Sequence, residues 1–474
     1  MNAMKPLWTS SQLIAALGVE PDGGDGVAVN GISIDTRTLQ AGDLFVALKD
    51  QRDGHEFVST AFKAGAAAAL VSTGYTRQPG DGVLFRVSDP LAALVALGRA
   101  ARARLAPEAR VIGVTGSAGK TGTKEMLRTC LSRLGATHAS EKSYNNHWGV
   151  PLTLARMPED TRFGVFEIGM NHAGEIRPLT KMVRPHAAIV TTVEAVHLEH
   201  FPSVAAIADA KGEIFEGLPK GGAAIIKFDN PHARRLRAIA DILGTKPVTF
   251  GFDAAADVHA SVFRASDDGS DMTINVRDKS YPVHLAMPGR HIAENALAVA
   301  AALDAIGVDV EMALAALADL APPSGRGARS VLQLGGGEAL LIDESYNANP
   351  ASMKAALATL ATVPRQKYGR RIAVLGDMLE LGSDAPALHA GLKDAVDAAE
   401  VDLVFACGPH MQNLYDALPA AKKGGYSPAS AMGDILASQL RPGDVVMIKA
   451  SNGTRLGAVV ERLKAQFGKQ GAAA

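Results

Sequence analysis

The stretch VIGVTGSAGKTGTKEML, residues 111–127, constrains the fold of this chain more strongly than any other part of its sequence. The apolar run Val111–Val114 predicts a buried strand, a small glycine-containing turn follows it, and apolar residues at helical spacing continue from Met126. A strand that enters a helix through a glycine turn is typical of a phosphate-binding loop, because backbone N–H groups and the helix N-terminus then converge on one point.

Two side chains at the start of the predicted helix add to this chemistry. Lys120 supplies a full positive charge, and the hydroxyl of Thr121 is placed to bind Mg²⁺. The loop is a variant, T-G-S-A-G-K-T, because Gly113 stands one residue earlier than the general pattern G-x-x-x-x-G-K-[ST] requires. An ordinary glycine turn with a solvated lysine is the weaker alternative, since strand, Gly-Lys-Thr and helix onset all agree. The residues predicted to hold phosphate are Thr115, Gly116, Ser117, Ala118, Gly119, Lys120 and Thr121.

The bulk composition limits the class of protein. At about 100–200 residues per domain, a chain of 474 residues is expected to form three domains or two large ones, and 47% hydrophobic residues are ample for their cores. A net charge of −1 does not indicate a nucleic-acid partner or a membrane-surface footprint. Cys130 and Cys407 are the only cysteines, which argues against a disulfide framework or a cysteine-rich metal site and fits a reducing compartment.

The sequence shows no apolar region of signal-peptide type and no uncharged apolar run close to the roughly 20 residues of a membrane span. We therefore expect a cytoplasmic protein with no membrane span and no nucleic-acid partner. No heptad run or large apolar helix face stands out, so we expect a monomer.

Three units follow one another along the chain: residues 1–107, ending near Pro107, residues 108–324, and residues 325–474 after a Pro- and Gly-rich linker. Alternating strands and helices in the second unit predict a largely parallel sheet, with a β-rich excursion over 253–285. The third unit has the pattern of an open Rossmann-like α/β domain without a dinucleotide-binding glycine motif. In the first unit the β-like runs are Val27–Val29, Ile32–Ile34, Leu44–Leu48 and Val83–Val87. The fold class is therefore α/β.

Several polar residues stand at the predicted carboxyl ends of strands in the second unit, where parallel sheets bind their ligands. Glu167 ends one strand, and His197 and Lys211 come after another. Each alone is ordinary: a strand-end glutamate is more often a surface or capping group, and a histidine is more often part of a core or loop. Their common position around one phosphate loop favours a site, because carboxylate and imidazole suit a cation that bridges phosphates. An unmodified lysine is a poor Mg²⁺ ligand, since its ammonium has no lone pair.

Other candidate positions are less specific. Asn145 and Asn146 precede a helix in SYNNHWGVPLTL, and Asn295 shares a helix face with His291. A structural asparagine is nearly as good an interpretation of Asn295. The first unit carries a polar cluster after a strand, for which ordinary turn chemistry is the favoured interpretation on that stretch alone: Ser33, Asp35, Thr36 and Arg37.

Motifs spread over essentially the whole chain resemble those of one family, the Mur ligases, which are ATP-dependent amide-bond-forming enzymes of peptidoglycan precursor synthesis. The motifs are TGSAGKTGTKEM (115–126), NNHWGVPLTL (145–154), EIGMNHAGEI (167–176), HLEHF (197–201), AKGEIFEGLP (210–219), DESYNANP (343–350) and GDMLELG (376–382). They are most similar to the family member that joins D-alanyl-D-alanine to UDP-N-acetylmuramoyl-tripeptide. The resemblance implies three domains: the first binds the UDP end of the substrate, the middle one binds ATP, and the third closes over the site.

The resemblance also implies roles for individual residues. The catalytic residues would be Lys120, Lys211, His197 and Arg326. ATP would be held by residues 115–121 together with Asn295, Arg326 and Asp343. Mg²⁺ would be bound by Thr121, Glu167, His197 and an N-carboxylated Lys211, since a carbamate carries oxygens and negative charge. The substrates would meet Ser33, Asp35, Thr36, Arg37, Asp53, His55, Asn145, Asn146, Asn171, His172, Tyr346, Asn347, Asn349 and Lys449.

Three positions depart from the family pattern. Thr36 stands where serine is usual, and Ile292 follows His291 where asparagine is common, so only Asn295 is assigned to the base. Ala450 replaces a glycine after Lys449. If that position required a positive φ, alanine would cost roughly 1 kcal/mol or more.

The sequence is also compatible with two other functions. One is another carboxylate–amine ligase, of Mur or folylpolyglutamate type. The other is a P-loop NTPase switch that controls a partner, which would need an Asp after a second apolar strand; Glu167 follows the nearest candidate strand instead.

Overall fold

A computed structural model describes residues 5–24, 26–141, 143–266 and 269–468, and it contains three β-sheets that follow one another along the chain. The sheets have five, nine and six strands, and helices cover them. The predicted α/β class is confirmed. The predicted boundaries, 107/108 and 324/325, fall in the connections between successive sheets, and we keep them as proposed domain limits.

The first sheet has the strand order β1-β5-β4-β3-β2, in which β2 to β5 are parallel and β1 is antiparallel. The elements are α1 (Ser10–Leu17), β1 (Pro21–Asp22), β2 (Gly31–Ser33), β3 (Asp43–Val46), α2 (Val58–Lys63), β4 (Ala68–Ser72), β5 (Val83–Val87) and α3 (Pro90–Ala103). The predicted strand at Val27–Val29 is wrong, because it forms only an isolated bridge between Val29 and Trp8.

The middle sheet has the order β14-β13-β12-β11-β10-β9-β6-β8-β7. It is parallel from β7 to β12, and β12, β13 and β14 form the antiparallel excursion expected over 253–285. The elements are β6 (Arg110–Thr115), α4 (Lys120–Ser132), β7 (Thr137–Ala139), α5 (Gly149–Ala155), β8 (Phe163–Glu167), α6 (Ile176–Val183), β9 (Ala187–Val190), α7 (Val204–Gly212), β10 (Ala223–Lys227), α8 (Ala233–Ile242), β11 (Lys246–Gly251), β12 (Val258–Ala265), β13 (Ser270–Val276), β14 (Lys279–Leu285), α9 (Arg290–Ala305) and α10 (Val310–Leu314).

The third sheet has the order β15-β16-β20-β17-β18-β19, with β15 antiparallel to β16 and the other pairs parallel. The elements are β15 (Ala328–Leu334), β16 (Gly337–Glu344), α11 (Pro350–Ala361), β17 (Arg370–Gly376), α12 (Ala385–Ala390), α13 (Lys393–Ala398), β18 (Leu403–Cys407), α14 (Met411–Ala417), β19 (Lys423–Tyr426), α15 (Ala429–Gln439), β20 (Asp444–Lys449) and α16 (Gly457–Phe467). In the described ranges no helix combines the length and hydropathy that crossing a bilayer requires.

One hydrophobic core joins the first domain to the middle domain. It runs without interruption from the first sheet through α3 and α5 to the far face of the middle sheet. Gly98 of α3 allows this close approach, since an added Cβ would lie 3.1 Å from the Pro151 carbonyl oxygen. Two separate clusters form the core of the third domain. The first two domains are therefore packed together, whereas the third has a core of its own.

Trp8 lies inside the shared core and contacts several elements there. It is 2% exposed, its Nε1 donates to the Ala155 carbonyl oxygen at 2.9 Å, and the guanidinium of Arg104 lies 4.0 Å from its ring centroid. Arg104 in turn donates to the carbonyl oxygens of Leu7 and Met157. The indole therefore connects the N-terminal segment, α3 and α5.

We predict that Trp8→Ala lowers the free energy of unfolding by about 3–5 kcal/mol, because it leaves a large cavity and removes a buried hydrogen bond. Urea unfolding followed by circular dichroism measures the change. As a control, Ile242→Ala at an 85% exposed position should change the stability by no more than about 0.5 kcal/mol. Equal effects of the two substitutions would contradict the role of the shared core.

Candidate active site

The phosphate loop lies between β6 and α4, as the sequence predicts, and two of its glycines are needed for close contacts. Gly116 (φ 150°) lies so near Thr191, the residue after β9, that a Cβ would collide with the Thr191 hydroxyl. A Cβ on Gly119 (φ 83°) would lie 2.6 Å from Oδ1 of Asn295 on α9. The loop is therefore held between the end of β9 and the first turns of α9.

Lys120 lies beneath this loop, and its Nζ donates to the Gly116 carbonyl oxygen at 2.6 Å. Burial lowers the pKa of Lys120, while the negative charge of Glu167 raises it and the positive charge of Arg326 lowers it further. Lys120 thus feels one second cation, Arg326, and one carboxylate, Glu167. An anionic group beside Lys120 would be attracted to both cations.

Glu167, at the end of β8, is 1% exposed and has a defined partner at each oxygen. Its Oε2 accepts from the Thr121 hydroxyl at 2.9 Å, and its Oε1 accepts from Nδ2 of Asn145 at 2.7 Å. The structure thus joins three residues that the sequence predicted separately. A buried carboxylate beside a threonine hydroxyl is a donor set that suits a hard divalent cation.

His197 follows β9 in the left-handed region, with φ 53°, and its Nδ1 lies 2.5 Å from Oε2 of Glu380 in the third domain. This contact holds the pKa of Glu380 below its usual range. The structure does not bring His197 into contact with Thr121 or Glu167. In the described part of the chain, no three His, Cys, Asp or Glu side chains are grouped as a metal site.

Lys211 lies on α7 and is 2% exposed. Its side chain forms no hydrogen bond or ion pair with any of the described residues. Burial, together with the positive charge of Lys120, lowers the pKa of Lys211 far below that of an ordinary lysine. A buried amine without a partner is an unfavourable arrangement unless another chemical group completes it.

A cavity of about 520 Å³ opens from the phosphate loop toward α9 and the linker to the third domain. Asn295 and His291 face it from α9, and the ion pair of Lys227 with Glu294 (2.8 Å) lies along its wall. Burial lowers the pKa of His291. The cavity combines an apolar side with convergent polar groups, as nucleotide pockets do. Its apolar lining residues include Met287, Ile292, Leu320 and Pro323.

A second cavity of about 870 Å³ lies on the other side of the loop, between the middle and third domains. It is lined by the predicted substrate residues Asn145, Asn146, Asn171 and His172, with Glu175 and Glu380. The two cavities share the lining residues Ser117, Lys120, Asn145, Asn347, Ala348, Asn349 and Asn452. Lys120 therefore stands where they meet.

The third domain contacts the phosphate loop directly through Asn349, whose Nδ2 donates to the Ser117 carbonyl oxygen at 3.4 Å. Lys449 also faces the first cavity, and its Nζ donates to Glu344 and to the Asn347 carbonyl oxygen. Ala450, the residue after it, has no positive φ, so the glycine-to-alanine difference causes no backbone strain there.

Asp343 lies outside the lining of both cavities. It is 2% exposed, and its carboxylate accepts from the backbone of Gly325 and from Ser345. In this conformation it shapes the turn that carries Arg326, and its predicted contact with a ribose remains a prediction.

The first-domain candidates also lie outside both cavities. Asp35 forms a bidentate pair with Arg37 and caps the turn, and Ser33 is buried beside it. Asp53 accepts from Nδ1 of His55 at 2.6 Å, and Thr36 lies in the same turn as Asp35. These contacts fit ordinary turn chemistry, and the predicted substrate role of these residues remains a prediction.

Sequence reasoning missed several residues of the cavities: Ser143, Thr191, Thr192, Lys227, Glu294 and Glu344. Thr191 and Thr192 directly follow β9, so their position after an apolar run is a signal that could have found them. Ser143 and Glu294 carry no such signal, because helix packing and domain contacts bring them to the cavity.

The fold and the site together define a nucleotide-binding α/β protein whose Rossmann-like domain covers the phosphate loop. Two family models match the chain, "Mur ligase middle domain" over residues 114–303 and "Mur ligase, glutamate ligase domain" over residues 329–452. The chain belongs to the Mur ligase family, as its motifs predicted.

Individual relatives agree with this assignment. The UDP-N-acetylmuramoyl-tripeptide–D-alanyl-D-alanine ligase of Escherichia coli (strain K12) is 40% identical over 84% of this chain and 86% of its own. The crystal structure of MurF from Acinetobacter baumannii superposes with a TM-score of 0.83 at 28% identity, covering 97% of this chain and all of the other. The MurF ligase of Thermotoga maritima in complex with ADP has a TM-score of 0.76 at 25% identity, covering 92% and 97%.

We predict that Gly119→Ala weakens ATP binding by about tenfold or more, because the added Cβ displaces Asn295 and deforms the loop. Isothermal titration calorimetry with ATP measures the affinity. Gly80→Ala is a matched control: its φ is 90°, so it carries a similar backbone strain, but nothing lies within 4 Å of its Cβ. An unchanged ATP affinity of the Gly119 variant would refute the assignment of the loop.

Proposed function

We propose that this protein is an ATP-dependent ligase that joins D-alanyl-D-alanine to UDP-N-acetylmuramoyl-tripeptide through an acyl phosphate and releases ADP and phosphate. The observation that carries the proposal is the meeting of two cavities at Lys120, one beside the phosphate loop and one between two domains. A γ-phosphate at this point would be reached by ATP from one side and by a carboxylate from the other.

In the first step, the terminal carboxylate of the tripeptide attacks the γ-phosphorus of ATP. An O–P bond forms, the bond from the γ-phosphorus to its bridging oxygen breaks, and ADP leaves with the electron pair. The two reactants are both anions, so their approach is opposed by charge repulsion. Lys120 and Arg326 reduce this repulsion and stabilise the charge on the transferring phosphoryl group.

In the second step, the free amine of D-alanyl-D-alanine attacks the acyl carbon. A C–N bond forms, the C–O bond to phosphate breaks, and the nitrogen releases a proton to the solvent or to the departing phosphate. The cavity between the domains would hold the dipeptide next to the acyl phosphate. Closure of the third domain would keep out water, which otherwise hydrolyses the intermediate.

We infer that Thr121 and Glu167 would hold Mg²⁺, because a hydroxyl and a buried carboxylate are already joined there. The metal supplies positive charge to the phosphoryl oxygens when bound. His197 would join this set only after it leaves Glu380. The binding of the UDP end by the first domain, a monomeric state and a cytoplasmic location are further parts of the proposal.

The first experiment measures ADP release with UDP-N-acetylmuramoyl-tripeptide, ATP and Mg²⁺, with and without D-alanyl-D-alanine. We expect ADP release to depend on the dipeptide and the mass of the UDP-pentapeptide to appear. Lys120→Ala should abolish turnover without unfolding the protein, because it removes the charge at the meeting point of the cavities. Near-normal turnover in that variant would contradict the proposed role of the loop.

Turnover with a single amino acid or with a folate instead of the dipeptide would preserve the ATP site and overturn the substrates. Slow ATP hydrolysis that no acceptor accelerates would favour a nucleotide-controlled switch.

We further infer that Lys211 becomes N-carboxylated, since its amine is buried without a protein partner and burial lowers its pKa, which favours the uncharged form that attacks CO₂. The N–C bond forms as one C=O π bond of CO₂ opens, and the nitrogen releases a proton to solvent. ¹³C NMR of the protein in ¹³C-bicarbonate should show a carbamate signal that Lys211→Arg eliminates. Lys211→Met should lose activity yet unfold at higher denaturant in CO₂-free buffer, because it removes the cost of burying an amine. The exposed Lys220→Met should change neither property. A wild-type spectrum without a carbamate signal would contradict the modification.

A further inference from the structure

The turn that enters the third domain places Arg326 against an aromatic ring. Its guanidinium carbon lies 4.4 Å from the ring centroid of Tyr346. The backbone on both sides is permissive, since Gly325 (φ 74°) and Gly327 (φ 93°) flank the arginine. Among the described residues the guanidinium forms no hydrogen bond or ion pair, so its contact with the ring is what orients it.

Tyr346 is itself held by the other domain. Its hydroxyl donates to Oγ of Ser143 at 2.7 Å, across a separation of 203 residues in the chain. Ser143 belongs to the loop before α5 in the middle domain, two residues before Asn145, which binds Glu167. Both Tyr346 and Ser143 line the first cavity, which opens from the phosphate loop. The ring under Arg326 is therefore fixed by a contact that exists only when the two domains meet.

The close fit of the turn supports the same conclusion. The Tyr346 backbone N–H donates to the Gly325 carbonyl oxygen at 3.1 Å, and a Cβ on Gly325 would lie 2.8 Å from Cβ of Tyr346. Asp343 holds the same turn through the Gly325 N–H. The positive charge of Arg326 reaches the phosphate loop, since it lowers the pKa of Lys120.

We propose that Tyr346 is a positioning residue that orients the guanidinium of Arg326 toward the nucleotide phosphates. Because Tyr346 is hydrogen-bonded to Ser143, this orientation depends on the third domain being docked on the middle domain. The inference rests on the proposed binding of ATP in this cavity. Arg326 would then stabilise the transferring phosphoryl group fully only when the third domain is docked. Phosphoryl transfer would therefore begin after the third domain has covered the site.

The test compares ligation kinetics of the wild type with three single variants, one double variant and a control variant. Tyr346→Phe keeps the ring and loses the bond to Ser143, and Ser143→Ala loses the same bond from the other side. We expect each to lower kcat by about fivefold and the double variant to lose no more than either alone. Tyr346→Leu removes the ring as well and should lower kcat by about tenfold or more. Tyr426→Phe, at a 43% exposed tyrosine far along the third sheet, is the matched control and should retain wild-type kcat.

A double-mutant cycle of Tyr346 with Arg326 distinguishes a positioning role of Tyr346 from a general structural role. In an Arg326→Ala background, Tyr346→Leu should cause no further loss of kcat, because there is then no guanidinium for the ring to orient. Independent losses that multiply would overturn the proposal, and so would a wild-type kcat in Tyr346→Leu. If Tyr346→Leu fails to fold, Tyr346→Phe and Ser143→Ala decide the outcome, since both keep the packing.

The same cycle is measured on ATP affinity by calorimetry, which requires no ligation. If the wild type binds ATP but makes no pentapeptide, the proposed ligase function fails, while coupled effects of Tyr346 and Arg326 on ATP affinity still support the positioning role. If the wild type ligates normally and the two residues act independently, the positioning role alone is refuted.

Discussion

The partial burial of the Lys120 charge at the phosphate loop is the constraint on which the rest of the site depends. Its ammonium donates to the Gly116 carbonyl oxygen, and Glu167 supplies nearby negative charge. Arg326 adds a second cation from the third domain, and Lys211 adds a buried amine. The group of Lys120, Arg326 and Glu167 therefore holds two cations and one carboxylate. A bound polyanion such as the ATP phosphates is attracted to these cations, which favours its binding. The same cations also stabilise the charge that develops as the phosphoryl group is transferred.

The three domains are joined by different kinds of contact, and this difference matters for the mechanism. The first and middle domains share one apolar core, which fixes their relative position. The third domain meets the middle one through polar contacts: Asn349 with the phosphate loop, Tyr346 with Ser143, and Glu380 with His197. Polar contacts of this kind exchange readily with water, so they suit a domain that opens for substrates and closes for reaction.

The sequence predicts the frame of the molecule well, because the frame depends on local pattern. The glycine turn at 115–119, the antiparallel excursion and the Rossmann-like third unit follow from runs of apolar residues and turn residues. Two segments depart from the pattern of their sequence. Val27–Val29 has β-branched residues, but only Val29 pairs, through a single bridge with Trp8. The strand β4 (Ala68–Ser72) was not predicted because its alanines favour a helix as much as a strand.

The sequence by itself determined the phosphate loop, the three-unit plan and the family, because these depend on short motifs whose residues act together wherever they occur. Only the tertiary structure decided which polar side chains meet. It joined Glu167 to Thr121 and Asn145, and it set Tyr346 against Ser143. It also showed that Asp343 supports a turn instead of facing a cavity. Such contacts depend on how sheets and domains pack at long range, and no local pattern in the sequence encodes them.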